Sequence, residues 1–376
     1  MMLGFNRPYL TGREFDYIRD AIDREKLSGN GFYTQQCQDF FTKRYGFRKT
    51  LLTQSCTDAL EMTALLLNVG PEDEIILPSY TFVSTANAYS LRGVKLIFAD
   101  SEKHTPNIDV DHVRQLITKK TKAIVVVHYA GVSCDMDPLL KLAEEHNLFL
   151  VEDSAQAIDS YYKGKPLGSI GHLACFSFHE TKNIISGEGG MLVINDPRLV
   201  QRAEVLWEKG TNRSAFSRGE VDKYSWIDVG SSFLPSELTA AFLWAQLQEL
   251  DSIQQKRLAI WNRYHAGLQF QQREGHFLLP VIPEYASNNA HMFYLVSRSE
   301  DERNAIILHL KNEGIQAIFH YLPLHTSPYF LAKYRGRVLS EADRYSKCIL
   351  RLPFYTALTE SEIDRVINSI HQFYNS

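Results

Sequence analysis

The segment between residues 50 and 153 alternates short apolar runs with stretches of helical periodicity, and this rhythm constrains the fold more than any other feature. A strand followed by a helix, repeated several times, predicts a mostly parallel sheet with helices on its faces. The runs AIVVVHY and LFLVED are apolar almost throughout, as strands covered on both faces are. The predicted strands span 50–53, 74–78, 95–100, 123–129 and 148–153, and the predicted helices span 57–68, 82–91, 109–119 and 137–146.

The rhythm changes after residue 153, and the rest of the chain predicts a second, smaller unit. Candidate strands flank the glycine-rich stretch SGEGG, and a long helix should follow them. We therefore expect a large α/β domain over residues 1–255 and a smaller C-terminal α+β domain over residues 256–376. The predicted elements are strands at 173–178 and 191–195, a helix at 236–268, a strand at 291–297, a helix at 302–313, a strand near 316–321 and a final helix from the capping box Thr359–Glu362.

The composition excludes several classes of protein. Hydrophobic residues make up 44% of the 376 residues and the net charge is −4, so neither disorder nor non-specific nucleic-acid binding is expected. No stretch approaches the roughly 18 apolar residues of a membrane span, and the N-terminus lacks the apolar core of a signal peptide. The five cysteines are widely spaced without a CxxC pair, which predicts reduced thiols in the cytoplasm. The histidines match no standard zinc spacing, so we expect no metal.

Polar residues follow two of the apolar strands at their carboxyl ends, where ligands bind in open α/β sheets. Asp153 ends one strand, with Gln156 three residues later. Lys182 follows another strand, between Ser177 and a turn with three glycines. Taken singly, the acid is explained as well by helix capping and the lysine by a surface position.

Two further turns add to this set. Ser55, Cys56 and Thr57 stand at a predicted helix start, where free N–H groups bind phosphate, although plain N-capping explains that turn in isolation. Phe82 follows the next strand and is suited either to stacking on a planar ring or to the core. Together, a phosphate cradle, a stacking aromatic, a strand-end acid and a turn lysine are what a pyridoxal 5′-phosphate (PLP) site needs. The lysine pKa would have to fall from about 10.4 toward roughly 7–8.

These segments resemble those of the DegT-type sugar-nucleotide aminotransferases, a branch of the aspartate-aminotransferase fold. The resemblance covers essentially the whole chain and implies the PLP-dependent transferase fold of type I. Within the family, VHYAGVSCDMD, EKGTNRS, DKYSW and NAHMFY are most similar to the transaminases that make dTDP-4-amino-4,6-dideoxygalactose in enterobacterial glycan synthesis. The segments that carry the family resemblance are SCTDAL, LPSYTFVSTANA, VEDSAQ, SFHETKN, SGEGG and HYLPLH.

The resemblance implies a role for each matching residue. Lys182 would form the covalent link to PLP, and Asp153 would pair with the pyridine nitrogen. Phe82 would stack on the ring, and Gln156 would lie beside its 3′-oxygen. The residues implied to hold the phosphate are Cys56, Thr57 and Ser177, and those implied to face the sugar are His320 and Tyr321.

One stretch departs from the family pattern. Many relatives carry Gly-x-Asn-Tyr-Arg-Met before the long helix, and that asparagine reaches the phosphate in the partner subunit. Here the stretch is Gly230–Pro235, with Ser232 at the asparagine position. The shorter hydroxyl can still donate a hydrogen bond, directly or through water. The resemblance also implies a homodimer with shared active sites.

Four functions are compatible with different parts of this pattern. The first is transfer of the amino group of L-glutamate to a nucleotide-linked 4-keto-6-deoxy sugar, for a surface polysaccharide such as enterobacterial common antigen or a lipopolysaccharide O-antigen. The second uses a 3-keto sugar, which the sequence does not distinguish. The third, a PLP-binding regulator without turnover, is disfavoured by Lys182, His320 and Tyr321. A nicotinamide dehydrogenase is disfavoured because the first strand is not followed by GxGxxG. Relatives that replace the lysine with histidine are dehydratases, so Lys182 favours a transaminase.

Overall fold

The computed structural model of the chain describes residues 2–375. The helices within that range are α1 Glu14–Asp23, α2 Phe32–Tyr45, α3 Cys56–Leu66, α4 Val83–Ser90, α5 Val110–Leu116, α6 Met136–Glu145, α7 Val200–Trp207, α8 Arg213–Ser217, α9 Glu237–Gln248, α10 Leu250–Arg273, α11 Glu300–Asn312, α12 Ser340–Cys348 and α13 Glu360–Asn375. The strands are β1 Lys49–Thr53, β2 Glu74–Pro78, β3 Lys95–Ala99, β4 Thr121–Val127, β5 Phe149–Asp153, β6 Tyr161–Tyr162, β7 Lys165–Pro166, β8 Leu173–Ser177, β9 Gly190–Ile194, β10 Phe277–Leu278, β11 Tyr294–Ser297, β12 Ile318–Phe319 and β13 Ile349–Arg351. Short 3-10 turns lie at Tyr129–Gly131, Pro197–Leu199 and Leu324–Thr326.

A seven-stranded sheet forms the centre of the N-terminal part, in the order β1-β9-β8-β5-β4-β2-β3. Strand β9 runs antiparallel to β1 and β8, and the remaining pairs are parallel. The mostly parallel α/β architecture expected from the alternating pattern is therefore confirmed. The five strands predicted between residues 50 and 153 are all present, with ends that agree to within two residues.

Both faces of this sheet are covered, and strand β4 shows why its sequence is apolar throughout. Successive side chains of a strand point to opposite faces. Ala123 and Val125 pack into one hydrophobic cluster, whereas Ile124 and Val126 pack into another on the opposite side. A polar residue at any of these four positions would lie in an apolar layer, which accounts for the unbroken run of the strand.

A smaller antiparallel sheet, in the order β10-β11-β13-β12, lies in the C-terminal part. Its helices α10, α11 and α13 pack around a separate hydrophobic cluster that includes Tyr264, Leu310 and Ile370. The expected combination of a large parallel sheet with a smaller C-terminal sheet domain is thus observed. The boundary at residues 255 and 256 stays a prediction, and it falls within the continuous helix α10.

The single long helix predicted over residues 236–268 is wrong, because the backbone leaves the helical path at Glu249. This residue ends α9 and begins α10, with φ −108° and ψ 11°. The break allows Leu247 and Leu250, on either side of it, to be buried in the same hydrophobic cluster. Neither proline nor glycine marks the position in the sequence, so the periodicity alone could not indicate it.

Three predicted strands differ from the observed strands in their bounds. The strand predicted at 123–129 has the expected length but lies two residues earlier, as β4, because the chain enters a 3-10 turn at Tyr129. The strand predicted at 291–297 begins only at Tyr294, because the main-chain N–H of His291 donates to the Asn289 side chain instead of joining a ladder. The strand predicted near 316–321 is limited to β12.

Helix α9 also holds the start of α2 in place through the buried carboxylate of Glu237. Its oxygens accept hydrogen bonds from the main-chain N–H groups of Gly31 at 2.9 Å, Tyr33 at 2.7 Å and Thr34 at 3.3 Å. These are N–H groups at the helix N-terminus that no intrahelical carbonyl can satisfy. Gly31 has no side chain with which to cap α2, and the Glu237 carboxylate, from a helix distant in sequence, caps it instead.

We expect Glu237→Ala to lower the free energy of unfolding by about 2–3 kcal/mol, since it leaves several buried N–H groups without an acceptor. Glu237→Gln should lose less, because its amide oxygen can still accept hydrogen bonds. Urea denaturation at a fixed protein concentration measures both changes. Glu144→Ala, at an exposed site on α6, is the control and should change stability by no more than about 0.5 kcal/mol. Equal losses for Glu144→Ala and Glu237→Ala would contradict the assigned capping role.

Candidate functional site

A cavity of about 480 Å³ opens at the carboxyl edge of the parallel strands. This volume lies within the range of small-molecule sites. Nine of the ten residues predicted from the sequence line the cavity. These nine are Cys56, Thr57, Phe82, Asp153, Gln156, Ser177, Lys182, His320 and Tyr321.

The carboxylate of Asp153 is buried at the end of β5 and is held by two local donors. Thr85 Oγ1 donates to Oδ2 at 2.7 Å, and the N–H of Ala155 donates to Oδ1 at 3.2 Å. Burial raises the pKa of Asp153, while these hydrogen bonds and the nearby Lys182 oppose the rise. A carboxylate held in this way is suited to receive a ring N–H⁺, which would restore the stability of its charged form.

Gln156 bridges the two parts of the chain across the cavity. Its Oε1 accepts from the N–H of Ala130 at 2.6 Å, and its Nε2 donates to the hydroxyl of Tyr321 at 3.0 Å. Ala130 has φ 57°, a left-handed conformation that is uncommon for a residue with a Cβ. The amide therefore links an unusual turn after β4 to the C-terminal part, and so orients Tyr321 over the site.

The N-terminus of α3 forms an anion cradle at the same edge. The Ser55 side chain caps the helix by accepting from the N–H of Asp58, so plain capping accounts for this serine. Within residues 2–375, the N–H groups of Cys56 and Thr57 have no hydrogen-bond partner. A Cβ at Gly190 would collide with the main chain of Ser55 and Cys56, so this glycine allows β9 to pass directly behind the cradle. Free N–H groups with the positive end of the helix dipole favour a phosphate here.

Lys182 lies between β8 and β9, with its main-chain N–H bonded to the carbonyl of His179 at 2.9 Å. Burial lowers the pKa of Lys182, and Arg351 adds to the effect, whereas Cys56 and Asp153 oppose it. The lowered pKa of Lys182 agrees in direction with the expectation from the sequence. A lysine with a lowered pKa is available as a neutral amine nearer to physiological pH, as a nucleophile requires.

Aromatic and imidazole side chains form the outer part of the cavity. His320 stacks on Tyr321 with ring centroids 3.6 Å apart, and its Nδ1 lies 2.7 Å from the hydroxyl of Tyr129. Tyr80 donates to the main-chain carbonyl of His320 at 2.6 Å. Phe82 is 55% exposed, so it lies at the mouth and not in the core. This part of the cavity wall is therefore aromatic and carries the imidazole of His320 and the hydroxyl of Tyr321.

Two cavity residues, His291 and Arg351, were missed by the analysis of the sequence. Arg351 lies at the end of β13, where its guanidinium covers the ring of Phe5 at 4.7 Å. Its buried Nε has no hydrogen-bond partner among residues 2–375, and the structure pairs it with no carboxylate there. Burial lowers the pKa of Arg351. The only sequence signal was a lone arginine in the predicted C-terminal part, which is indistinguishable from a surface cation.

Ser232, the tenth predicted residue, does not line the cavity. It is exposed, and its main-chain carbonyl accepts from the side-chain amide of Gln54. An isolated bridge pairs it with Glu208. Ser232 follows a segment, residues 209–231, that carries five exposed apolar side chains. These are Phe216, Tyr224, Trp226, Ile227 and Val229.

Membrane association and metal binding are two other kinds of function to which the structure is relevant. Among residues 2–375, no helix is both long and apolar enough to span a membrane. Over the same range, no three His, Cys, Asp or Glu side chains are grouped as metal ligands.

Known proteins resemble this chain in both sequence and structure. Residues 8–371 match the model of the DegT/DnrJ/EryC1/StrS aminotransferase family. GDP-perosamine synthase of Escherichia coli O157:H7 is 31% identical, with 98% of each chain covered, and the spore coat polysaccharide biosynthesis protein SpsC of Bacillus subtilis is 33% identical, with 98% and 96% covered. A protein of Streptococcus pneumoniae, described as a sugar aminotransferase and solved in its PLP form, has a TM-score of 0.91 at 26% identity, with 100% and 99% covered.

The cavity fits PLP on its own chemistry. The free N–H groups of α3 would suit the phosphate, the carboxylate of Asp153 would suit a protonated ring nitrogen, and Lys182 would offer an amine for the covalent link. The individual roles of the predicted residues stay predictions, although the cavity brings nine of them together. The match over residues 8–371, the similarity to a PLP-form structure and this donor set lead to one conclusion: the chain belongs to the DegT/DnrJ/EryC1/StrS aminotransferase family and is a PLP-dependent sugar aminotransferase.

Proposed function

We propose that this enzyme transfers the amino group of L-glutamate to dTDP-4-dehydro-6-deoxyglucose and so produces dTDP-4-amino-4,6-dideoxygalactose. The observation that carries the proposal is the convergence of Lys182, Asp153 and the α3 N-terminus in one cavity with a polar aromatic mouth. The product would enter surface polysaccharide synthesis, such as that of enterobacterial common antigen or an O-antigen. The name of one relative, a spore coat polysaccharide biosynthesis protein, supports a polysaccharide as the destination, and the name of another, GDP-perosamine synthase, supports a nucleotide-linked sugar as the class of product.

Different residues of the chain have different roles in such a reaction. Bound PLP supplies an electron sink that stabilises negative charge on the carbon atom that loses a proton. Lys182, with its lowered pKa, takes that proton and returns it to the neighbouring position. Asp153 keeps the ring nitrogen protonated, and the α3 N-terminus holds the phosphate so that the ring does not shift between the two half-reactions.

The position of Arg351 in the cavity supports the proposal that the amino donor carries a carboxylate. The Nε of Arg351 is buried without a hydrogen-bond partner among residues 2–375, which is costly, and an anionic ligand would offset that cost. Arg257, in the same part of the chain, is also buried, and its pKa is lowered to about 9 by burial and by Arg351. Arg351, which lines the cavity, favours a ligand that carries negative charge, and L-glutamate has two carboxylates.

The mouth of the cavity supports a sugar as the acceptor. His320 and Tyr321 line this part of the cavity and bring an imidazole and a phenol hydroxyl to it, groups that suit a ligand with several hydroxyl groups such as a hexose. None of these contacts distinguishes the 4-keto from the 3-keto position, so the 3-keto sugar is retained as the alternative substrate.

We further propose a homodimer in which the segment 209–231 contributes to the partner. Trp226 is 81% exposed and is followed by the exposed Ile227, and such patches are typical of association surfaces. Ser232, directly after this segment, lies outside the cavity of its own chain. This placement agrees with a contact to the cofactor phosphate of a second subunit.

The cofactor and the donor are tested first by absorbance. The purified enzyme with PLP should show a yellow band that bleaches on addition of L-glutamate and returns with the keto sugar. Lys182→Ala should lack the lysine-linked band, whereas Lys141→Ala, at an exposed site on α6, should keep it. A band that glutamate does not change would contradict glutamate as the donor. Nuclear magnetic resonance of the product then shows whether the amine is at C4 or at C3, and a 3-amino product would select the alternative.

The role of Arg351 is tested by steady-state kinetics. Arg351→Met should raise KM for L-glutamate by about 10²-fold, the scale of a lost charge-assisted carboxylate contact, and leave KM for the sugar nucleotide little changed. Arg351→Lys should recover part of the loss. Arg335→Ala removes an exposed arginine outside the cavity and is the matched control. If KM rises for the sugar and not for glutamate, Arg351 binds the other substrate.

Association is tested by analytical ultracentrifugation. Trp226→Glu places a charge in the exposed apolar patch and should raise the dissociation constant of the dimer by at least about 10²-fold. Leu308→Glu, at an exposed apolar site on α11, should leave it unchanged. A wild-type protein that sediments as a monomer at micromolar concentration would overturn the proposed dimer.

A further inference from the structure

A second cavity, of about 700 Å³, lies beside the edge strand β3 and has no role in the proposed reaction. Its walls are the stretch 93–98, which includes most of β3, the helix α5 and the segment 329–337. It shares no lining residue with the catalytic cavity, which contains Lys182. The volume lies within the range of small-molecule sites, so the chemistry of the walls indicates what could bind there.

Four cations and no acids line this second cavity. The cations are Lys95, Lys333, Arg335 and Arg337, and within residues 2–375 no Asp or Glu is among the lining residues. Lys95 is paired with Glu74 at 2.8 Å. The other three have no carboxylate partner in the described part of the chain. A ligand with several negative charges would therefore be attracted to this cavity.

His112 adds a hydrogen-bond donor to the same wall. It is only 2% exposed, and its Nδ1 accepts from the main-chain N–H of Asp100 at 2.9 Å. Burial lowers the pKa of His112, and Arg337 adds to the effect, so the ring is neutral at physiological pH. Because a main-chain N–H can only donate, the hydrogen of the neutral ring lies on Nε2. Nε2 has no hydrogen-bond partner among residues 2–375, so this buried side chain keeps a free donor at the cavity.

The free edge of β3 supplies main-chain donors and acceptors. Within residues 2–375, β3 pairs with β2 alone. The N–H of Lys95 and the carbonyl of Ala99 are bonded on the β2 side. Since the main-chain groups of successive residues alternate in direction, those of Leu96 and Phe98 point to the free edge. Both residues line the second cavity, where such groups could bond to the polar atoms of a planar base.

Aromatic rings form the wall opposite this edge. Phe330 packs edge-on against Phe98, with ring centroids 4.8 Å apart. Tyr329 is 62% exposed, and Lys333 Nζ lies 3.9 Å from its ring centroid. The hydroxyl of Tyr329 lies 3.2 Å from Ser90 Oγ, which joins the segment 329–337 to the end of α4. An exposed tyrosine ring beside unpaired cations suits a ligand that has both a base and phosphates.

We propose that this second cavity binds a nucleoside diphosphate, separately from the reaction at Lys182. Lys333, Arg335, Arg337 and the Nε2–H of His112 hold the diphosphate, while Tyr329 and the edge of β3 contact the base. This class of ligand combines the two features that the walls select, several negative charges and a flat ring with polar atoms. The proposal goes beyond the proposed function and does not depend on which keto sugar reacts.

Calorimetric titration of the PLP-bound enzyme with dTDP tests the site. We expect two dTDP molecules per wild-type chain, one in each cavity. Arg337→Glu should weaken the second site by about 10–100-fold, the scale of a lost charge-assisted hydrogen bond. His112→Asn can still accept from the N–H of Asp100 but lacks the Nε2–H, and should weaken the site by about threefold to tenfold. Arg114→Glu makes the same charge change at an exposed arginine of α5 outside the cavity and should match wild type.

Inorganic pyrophosphate has the charges without the base, so it should bind the Arg337-dependent site at least about tenfold more weakly than dTDP. Equal affinity for the two probes, or equal dTDP binding by wild type and a folded Arg337→Glu, would overturn the proposal.

Hydrogen exchange of the wild-type protein remains informative if a variant fails to fold. Addition of dTDP should slow exchange in residues 93–98 and 329–337, and unchanged exchange in both stretches would also overturn the proposal. If dTDP does not enter the catalytic cavity, wild type should bind one molecule per chain and Arg337→Glu none at the same concentration. The proposed nucleotide carrier of the substrate then fails, and the second site stands.

Discussion

The burial of charge at the carboxyl edge of the large sheet is the constraint on which the rest of this structure depends. Asp153 and Lys182 lie where neither can be fully hydrated, and each has a pKa displaced toward its neutral form by burial. A chain tolerates such groups only when donors and acceptors are fixed around them. The Thr85 hydroxyl and the main-chain N–H of Ala155 donate hydrogen bonds to the Asp153 carboxylate. The helices that cover both faces of the sheet exclude water from its interior, and burial lowers the pKa of Lys182 at its edge.

The charged groups around the cavity come from both parts of the chain. Asp153 and Lys182 follow strands of the large sheet, and Arg351 lies at the end of β13 in the small sheet. Of the acids that line the cavity, Asp153 is buried and Glu188 is exposed. A cofactor phosphate would add negative charge beside Lys182 and Arg351. Burial lowers the pKa of His291, and Lys182, Arg257 and Arg351 add to the effect.

The parts of the fold and of the site that could be predicted from the sequence are those with local causes. The parallel strands have apolar runs of their own, and strand ends at one sheet edge must converge, so Asp153, Lys182 and the α3 N-terminus could be placed together in advance. The break at Glu249 had no local signal, since the burial of Leu247 and Leu250 against other elements decides it. Arg351 and His291 were missed for the same reason. Both reach the cavity through tertiary packing of the C-terminal part, and a single arginine or histidine has no periodicity to reveal it.

The network around His291 shows how this tertiary packing can determine chemistry at one atom. Asn289 donates from Nδ2 to the carbonyls of Gln156 and Ile158, each at 2.8 Å, so its own amide orientation is as certain as that of Asn183. A Cβ at Gly131 would overlap the Asn289 side chain, so this glycine leaves the room for it. Hydrogen bonds thus lead from the turn after β5, through Asn289 and the main chain of His291, to an imidazole that lines the cavity. Asn183 Nδ2 donates to the main-chain carbonyl of Asn289, so Asn183 Oδ1 accepts from Nδ1 of the neutral His291 ring and leaves Nε2 as the acceptor.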